Sequence, residues 1–191
     1  MIAVFEEEAQ ISAGLLQKGK ILVYPTDTIW GIGCCVRFPE SVARISTIKG
    51  RDPGKSPILL VDSIAMLHRF VRRIHPRIET LLSHHIRPLT VVYPDPQNLP
   101  DDVLAEDGSV ALRICFDPFC RRVIQLLDDC LLSTSANFSN QPSPTHFGEI
   151  PKTLLEQADY VVHYRQDERE SGQASTLIRY NHAGNIEVLR P

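Results

Sequence analysis

The 191-residue sequence has little that would suit a membrane span, a disulfide scaffold or a general nucleic-acid binder. No apolar run approaches the roughly 20 residues that a membrane-spanning helix needs. Five cysteines occur without a C-x-x-C pair or zinc-finger spacing, so we expect reduced thiols, with Cys34 and Cys35 buried in a strand. The formal net charge of −3 argues against binding through an overall cationic surface.

Several catalytic and targeting signals are also missing. The start of the chain is acidic and lacks the basic residues and long apolar core of a signal peptide, so we expect a cytoplasmic protein without a membrane partner. No H-E-x-x-H or Ser-His-Asp pattern occurs, and there is no internal repeat. The length and the 43% hydrophobic content fit one domain, residues 1–191, with a sizeable core.

Helical and strand patterns alternate through most of the chain, and strands then follow one another near its end. Helical spacing predicts helices over residues 6–18, 39–50, 63–86, 118–129 and around Leu154. The region 63–86 should break near Pro76, because proline disfavours a helical residue before it. Apolar runs predict strands over residues 20–24, 31–36, 57–62, 89–93, 110–115, 131–133, 160–164, 175–179 and 185–189. This order predicts an α/β fold with a mixed sheet.

Polar side chains follow the first predicted strand. Pro25 has no amide donor, so the strand should stop before it. Thr26, Asp27 and Thr28 come next, followed by Trp30. Small hydroxyls, a carboxylate and an aromatic ring at a strand end resemble the polar contacts and the wall of a pocket, with ordinary packing as the alternative.

Three cations follow the second predicted helix on a turn-rich segment. Lys49, Arg51 and Lys55 are interleaved with glycine and proline, and such charges suit a polyphosphate because arginine can fork onto two phosphate oxygens. A solvated basic turn is the alternative. The segment is not a P-loop, since three residues rather than four separate its glycines and a helix precedes them.

Two further features indicate a binding site. Arg113 lies on an otherwise apolar strand, where a buried charge needs an anionic partner. That partner is either an Asp or Glu of the chain or a bound ligand. Residues 133–137, Ser-Thr-Ser-Ala-Asn, place hydroxyls and an amide just past a strand, where α/β folds bind ligands, although these residues also form plain turns.

The order and spacing of P-T-D-T at residues 25–28, Trp-Gly at 30–31, K-x-R at 49–51 and S-A-N at 135–137 resemble the YrdC-like threonylcarbamoyl-AMP synthase family. The resemblance runs from about residue 10 to residue 191. It implies a twisted, open, mixed α/β sheet with flanking helices around a concave basic cavity. It also implies an enzyme that makes threonylcarbamoyl-AMP and pyrophosphate from L-threonine, bicarbonate and ATP, for the threonylcarbamoyladenosine modification of tRNA.

The resemblance further implies roles for individual residues. Lys49 and Arg51 would be catalytic. The threonine contacts would be Thr28, Trp30, Arg113, Ser133 and Ser175. The nucleotide contacts would be Lys49, Arg51, Lys55, Ser135, Asn137, Ser143 and Arg190. Mg²⁺ is expected to arrive with ATP rather than in a protein carboxylate cage, and tRNA or the downstream threonylcarbamoyl transferase machinery are candidate partners.

The sequence departs from the family where threonine would bind. Residues 86–90 read Ile-Arg-Pro-Leu-Thr where members carry P-G-P-x-T, and Leu60 replaces a histidine of some members. A non-catalytic RNA- or nucleotide-binding paralogue is therefore the alternative function. The arginines and histidines of residues 68–85 are either a solvated helical face or an RNA-facing patch. The polar loop 165–174 is either a lid that orders when the site fills or an ordinary exposed loop.

Overall fold

The computed structural model describes residues 2–50, 57–168, 172–181 and 183–191. The helices in these ranges are α1 (Ile2–Leu16), α2 (Pro39–Lys49), α3 (Ile64–Phe70), α4 (Pro76–His84), α5 (Pro118–Leu127) and α6 (Lys152–Leu155). The strands are β1 (Leu22–Tyr24), β2 (Gly31–Cys35), β3 (Ile58–Val61), β4 (Leu89–Tyr93), β5 (Val110–Ile114), β6 (Leu131–Ser135), β7 (Tyr160–Val161), β8 (Thr176–Tyr180) and β9 (Ile186–Arg190). Short 3-10 turns lie at Asp101–Val103 and Phe147–Glu149.

The strands form one sheet in the order β7-β1-β2-β6-β3-β5-β4-β8-β9. Parallel pairs (β1 with β7, β3 with β5, β4 with β8) occur beside antiparallel pairs such as β2 with β6 and β4 with β5. Helices α3 and α5 contact β3, and α1 packs along α5. The predicted mixed α/β sheet with flanking helices is confirmed.

Local signals set several element ends where they were expected. β1 ends at Tyr24, directly before Pro25. Helix α2 begins at Pro39, whose fixed φ suits a first helical turn. It is closed by Gly50, which adopts the left-handed conformation with φ 55°.

Three predicted elements are shorter in the structure. Helix α3 ends at Phe70, well before Pro76, because Val71 is extended and bridges Pro96. The helix around Leu154 is a single turn. Strand β7 stops at Val161, and the backbone N–H of His163 donates to the Glu8 carboxylate at 2.7 Å instead of continuing a ladder.

The core contains the thiols, as expected from the sequence. All five cysteines are buried and free, and Cys34 and Cys35 lie in β2. Burial raises the pKa of the Cys35 thiol, so it stays protonated at neutral pH. None of the described helices is long and apolar enough to cross a bilayer.

Candidate active site

A cavity of about 480 Å³ opens on one face of the sheet. Successive strand residues point to opposite faces, so alternate residues of neighbouring strands line it. The strand residues that line it in such pairs are Ser133 and Ser135, Ile58 and Leu60, Ala111 and Arg113, and Leu177 and Arg179. Thr26, Thr28, Ser143 and Ser175 add hydroxyl groups from the loops. The volume is typical of small-ligand sites.

The cavity carries an excess of positive charge. Arg113, Arg179 and Arg190 line it, and its described lining residues include no carboxylate. Burial and the nearby charge of Arg113 lower the pKa of Arg190. An anion bound between these guanidinium groups would relieve their repulsion.

Arg113 lies at the centre of the site and is only 5% exposed. Its Nη1 donates to Thr28 Oγ1 at 3.0 Å, and its Nη2 lies 3.2 Å from Asp27 Oδ1. The carboxylate that the sequence left open as a partner is therefore Asp27. The Nε of Arg113 has no hydrogen-bond partner in the described part of the chain.

The segment after β1 is held by its own hydrogen bonds. Thr26 Oγ1 accepts from the backbone N–H of Thr28 at 3.1 Å and donates to the Ile29 carbonyl at 2.7 Å. The backbone N–H of Phe116 donates to Asp27 Oδ2 at 3.0 Å. These bonds keep the Thr28 hydroxyl at the cavity beside Arg113.

Trp30 differs from the sequence prediction that it forms a wall of the threonine pocket. The side chain is 5% exposed and packs against Phe147, with ring centroids 5.0 Å apart. It borders a separate cleft of about 150 Å³ on the far side of residues 26–29. The lining of the large cavity includes Gly31 but not Trp30, because the indole ring packs on Phe147 instead.

Lys49 and Asn137 shape the loop that follows β6. The Nζ of Lys49 donates to the carbonyl oxygens of Ser135 at 2.5 Å and Asn137 at 2.7 Å. The side-chain amide of Asn137 donates to the carbonyl of Gln141 at 2.7 Å. Ser135 lines the cavity, whereas Lys49 and Asn137 are buried behind it. The other two predicted cations, Arg51 and Lys55, lie outside the described residues.

Ser175 and Arg190 form a second cluster that lines the cavity. The Nε and Nη2 of Arg190 donate to the Ser175 carbonyl at 3.1 and 2.9 Å. The Ser175 hydroxyl lies 2.7 Å from that of Thr90. The structure thus brings together residues from β4, from β9 and from the loop directly before β8.

The sequence predicts no specific contact for three residues of this site. It places Asp27 among the polar contacts of a pocket but not as the partner of Arg113, Thr90 only within a divergent motif, and Arg179 only at the end of a strand. Arg179 lies two positions after Leu177 on a predicted strand, and a charged residue in such a place is the signal that could have identified it. Within the described ranges no group of three or more His, Cys, Asp or Glu side chains could hold a metal ion.

The family model named Sua5_yciO_yrdC, described as "Telomere recombination", matches residues 14–191. A threonylcarbamoyl-AMP synthase from Vibrio cholerae is 31% identical over 187 residues, which cover 96% of this chain and 97% of the relative. Another, from Alkalilimnicola ehrlichii, is 31% identical over 174 residues and covers 91% of each chain.

Two solved structures share the fold. The structure of Pyrococcus abyssi Sua5 complexed with L-threonine matches with a TM-score of 0.85 and 26% identity. The match covers 97% of this chain and 54% of that one, so this chain spans about half the length of Sua5. Escherichia coli YciO matches with a TM-score of 0.85 at 19% identity, over 97% of this chain and 89% of that one, and shows the fold alone.

Proposed function

This chain belongs to the Sua5/YciO/YrdC family, and from that premise we propose that it is a threonylcarbamoyl-AMP synthase. The reaction would join L-threonine, bicarbonate and ATP to give threonylcarbamoyl-AMP and pyrophosphate. The observation that carries the proposal is Arg113, a buried guanidinium with an unpartnered Nε at a cavity whose described lining has no carboxylate. A solved relative complexed with L-threonine supports the amino acid as substrate.

Threonine would bind around Arg113. A buried N–H donor without a partner is costly, and the α-carboxylate of an amino acid would satisfy it. Thr28 is fixed 3.0 Å from the Arg113 guanidinium, and Ser133 and Ser175 line the same cavity. These hydroxyls would hold the threonine side chain. Trp30 would pack against residues 26–29 on the side away from the large cavity and so support this segment.

The nucleotide would bind beside Ser135 and Ser143, which both line the cavity and whose hydroxyls could contact a phosphate or ribose. Lys49 would hold the loop of Ser135 through the carbonyls of Ser135 and Asn137, and its charge would act on the phosphates from behind that loop. Arg51 and Lys55 would add charge to the polyphosphate, and Arg190 would contact the nucleotide from the Ser175 side.

The reaction needs no protein nucleophile. Threonine's amine would attack the carbon of bicarbonate and release water, which gives a carbamate. The carbamate oxygen would then attack the α-phosphorus of ATP while the bond to pyrophosphate breaks. Such a step requires alignment and neutralisation of phosphate charge, which cations and hydroxyls supply. We propose that Mg²⁺ enters on the ATP phosphates, since the described residues offer no three-ligand cluster for it.

Substrate selectivity tests this function. In a pyrophosphate-release assay with ATP and bicarbonate, serine should be used roughly 10–200-fold less efficiently than threonine, because only a methyl group is lost. 2-Aminobutyrate, which lacks the hydroxyl, should do worse than serine, because Thr28 and Ser175 are left unpaired. Equal use of 2-aminobutyrate and threonine would contradict the polar pocket. No pyrophosphate with any amino acid would favour the non-catalytic paralogue.

We further propose a cytoplasmic location and direct contact with tRNA. The five free cysteines support a reducing compartment. Residues 68–87 hold five arginines against one glutamate, although the whole chain carries −3. Arg72, Arg73, Arg77 and Arg87 are exposed, and no ion pair holds them within the described ranges.

Salt titration tests the RNA contact. Changing Arg72, Arg73 and Arg77 together to Gln should weaken tRNA binding and flatten its salt dependence by about one unit per arginine. The control changes the exposed cations Arg121 and Lys152 to Gln elsewhere on the surface. If both variants bind tRNA like the parent chain, these arginines are a solvated helical face.

A further inference from the structure

Next to the site, a turn of the chain is anchored by an ion pair between a partly exposed arginine and a buried carboxylate. Arg165 adopts a left-handed backbone with φ 66°, which is uncommon for a residue with a side chain. Its Nη1 donates to Asp117 Oδ2, and its Nε donates to Glu168 in the same turn. The side chain of Asp117 is only 6% exposed. Arg165 begins the loop predicted as a lid, and the lid itself stays a prediction because residues 169–171 lie outside the described ranges.

The ion pair is connected to the site through the residues next to Asp117. Asp117 is the N-cap of α5 and accepts from the backbone N–H of Cys120 at 2.8 Å. Its neighbour Phe116 donates to Asp27, and Asp27 lies 3.2 Å from Arg113. From the turn to the threonine pocket the order is therefore a guanidinium, two carboxylates and a second guanidinium, and each carboxylate is paired with one guanidinium. We call Arg165, Asp117, Asp27 and Arg113 the charge chain.

The same loop touches the site a second time. A Cβ added to Gly172 would lie 1.2 Å from the carbonyl oxygen of Thr28, so the backbone of the loop rests directly on this segment. Thr28 is the residue whose hydroxyl Arg113 holds. Both described ends of the loop are thus coupled to the threonine pocket.

We propose that Arg165 is a positioning residue for threonine: it neutralises Asp117 so that Asp27 and Arg113 keep the geometry that accepts the substrate carboxylate. This rests on the proposed function. Without Arg165, Asp117 would add an uncompensated negative charge next to Asp27. That charge would draw Arg113 away from the cavity and repel an anionic substrate. The proposed nucleotide contacts Ser135 and Ser143 are not members of the charge chain, so the affinity for ATP should change little.

The proposal predicts a characteristic pH dependence for threonine binding by a variant that lacks Arg165. The groups around Asp117 are Arg165 with its second partner Glu168, Asp27, and the thiol of Cys120. Burial, with a contribution from Asp27, raises the pKa of Asp117, while Arg165 lowers it. Removing Arg165 must therefore raise that pKa further. As pH falls, Asp117 becomes protonated and the unbalanced charge disappears, so the defect of the variant should shrink toward acid pH.

The experiment measures threonine binding in the presence of saturating ATP, by calorimetry and by the fluorescence of Trp30, the chain's one tryptophan. Arg165→Met should weaken threonine binding roughly 2- to 30-fold, the range for residues that act through others. The KM for ATP should stay unchanged, and the defect should decrease as the pH is lowered. Arg165→Lys, which keeps the charge, should restore most of the affinity.

Charge-balanced variants separate this mechanism from simple loss of structure. Asp117→Asn in the Arg165→Met background should recover threonine binding, since asparagine also caps a helix. Glu168→Gln is the control, because it removes the other partner of Arg165. The Glu168 side chain is about half exposed. The single variant Asp117→Asn should bind threonine at least as well as the parent chain. This measurement tests the proposal even if Arg165→Met fails to fold.

Three results would overturn the inference: a pH-independent defect, an equal loss of ATP affinity, or weaker binding in Asp117→Asn alone. If the parent chain itself does not bind threonine, the proposed function fails instead. If the parent binds threonine and Arg165→Met binds it equally well, only the role of Arg165 is rejected.

Discussion

Replacing Arg113 with Met should abolish measurable threonine binding and lower the free energy of unfolding by about 3–5 kcal/mol, the usual cost of removing one partner of a buried ion pair. The substituted side chain cannot neutralise Asp27, whose Oδ1 lies 3.2 Å from the guanidinium. The side chains of Arg113 and Asp27 are 5% and 9% exposed, so water cannot replace the lost charge. Urea denaturation and calorimetric titration with threonine measure the two effects.

A matched control and a double variant separate stability from binding. Arg179→Met removes another cavity arginine, whose pair with Asp107 is about half exposed at 3.4 Å, so stability should change by less than about 1 kcal/mol. Asp27→Asn in the Arg113→Met background should recover part of the stability but not the threonine binding. If Arg113→Met is as stable as the parent, Asp27 is not a buried carboxylate that needs this cation.

Replacing Gly33 with Ala should destabilise the protein by about 3 kcal/mol or more, at the upper end of the range for an overpacked interior. A Cβ at this position would lie 2.0 Å from the Leu132 carbonyl oxygen of β6 and 2.7 Å from the Tyr24 hydroxyl. The first of these atoms belongs to the backbone of the neighbouring strand and cannot turn away. Strands β2 and β6 must therefore separate. Gly31, which lines the cavity, belongs to β2 and would move with it.

The unfolding midpoint in urea tests this expectation. Gly14→Ala is the matched control, because Gly14 lies in α1 with no atom within 4 Å of an added Cβ. That substitution should stabilise the chain by about 0.5–1 kcal/mol, since alanine loses less conformational entropy in a helix. Equal stability of Gly33→Ala and the parent would mean that β2 and β6 are not packed as closely as described.

Signals that act over a few residues were sufficient for much of the fold. The strand Leu89–Tyr93 has the predicted bounds, and β1 ends directly before Pro25, as predicted. Proline, glycine and apolar alternation constrain the backbone locally, so their effect can be predicted without a tertiary structure. The ends of α3 and β7 depend on distant contacts with Pro96 and Glu8, and there the prediction was wrong.

The sequence alone determined the fold class, the family resemblance and the residue types of the site, because these follow from composition, order and spacing. Only the tertiary structure decided that Arg113 pairs with Asp27, that Trp30 faces away from the large cavity, and that Arg165 reaches Asp117. These arrangements join segments that are far apart in the chain. Which partner a buried charge meets depends on how all the strands pack. Periodicity carries no information about that choice, since many pairings satisfy the same local pattern.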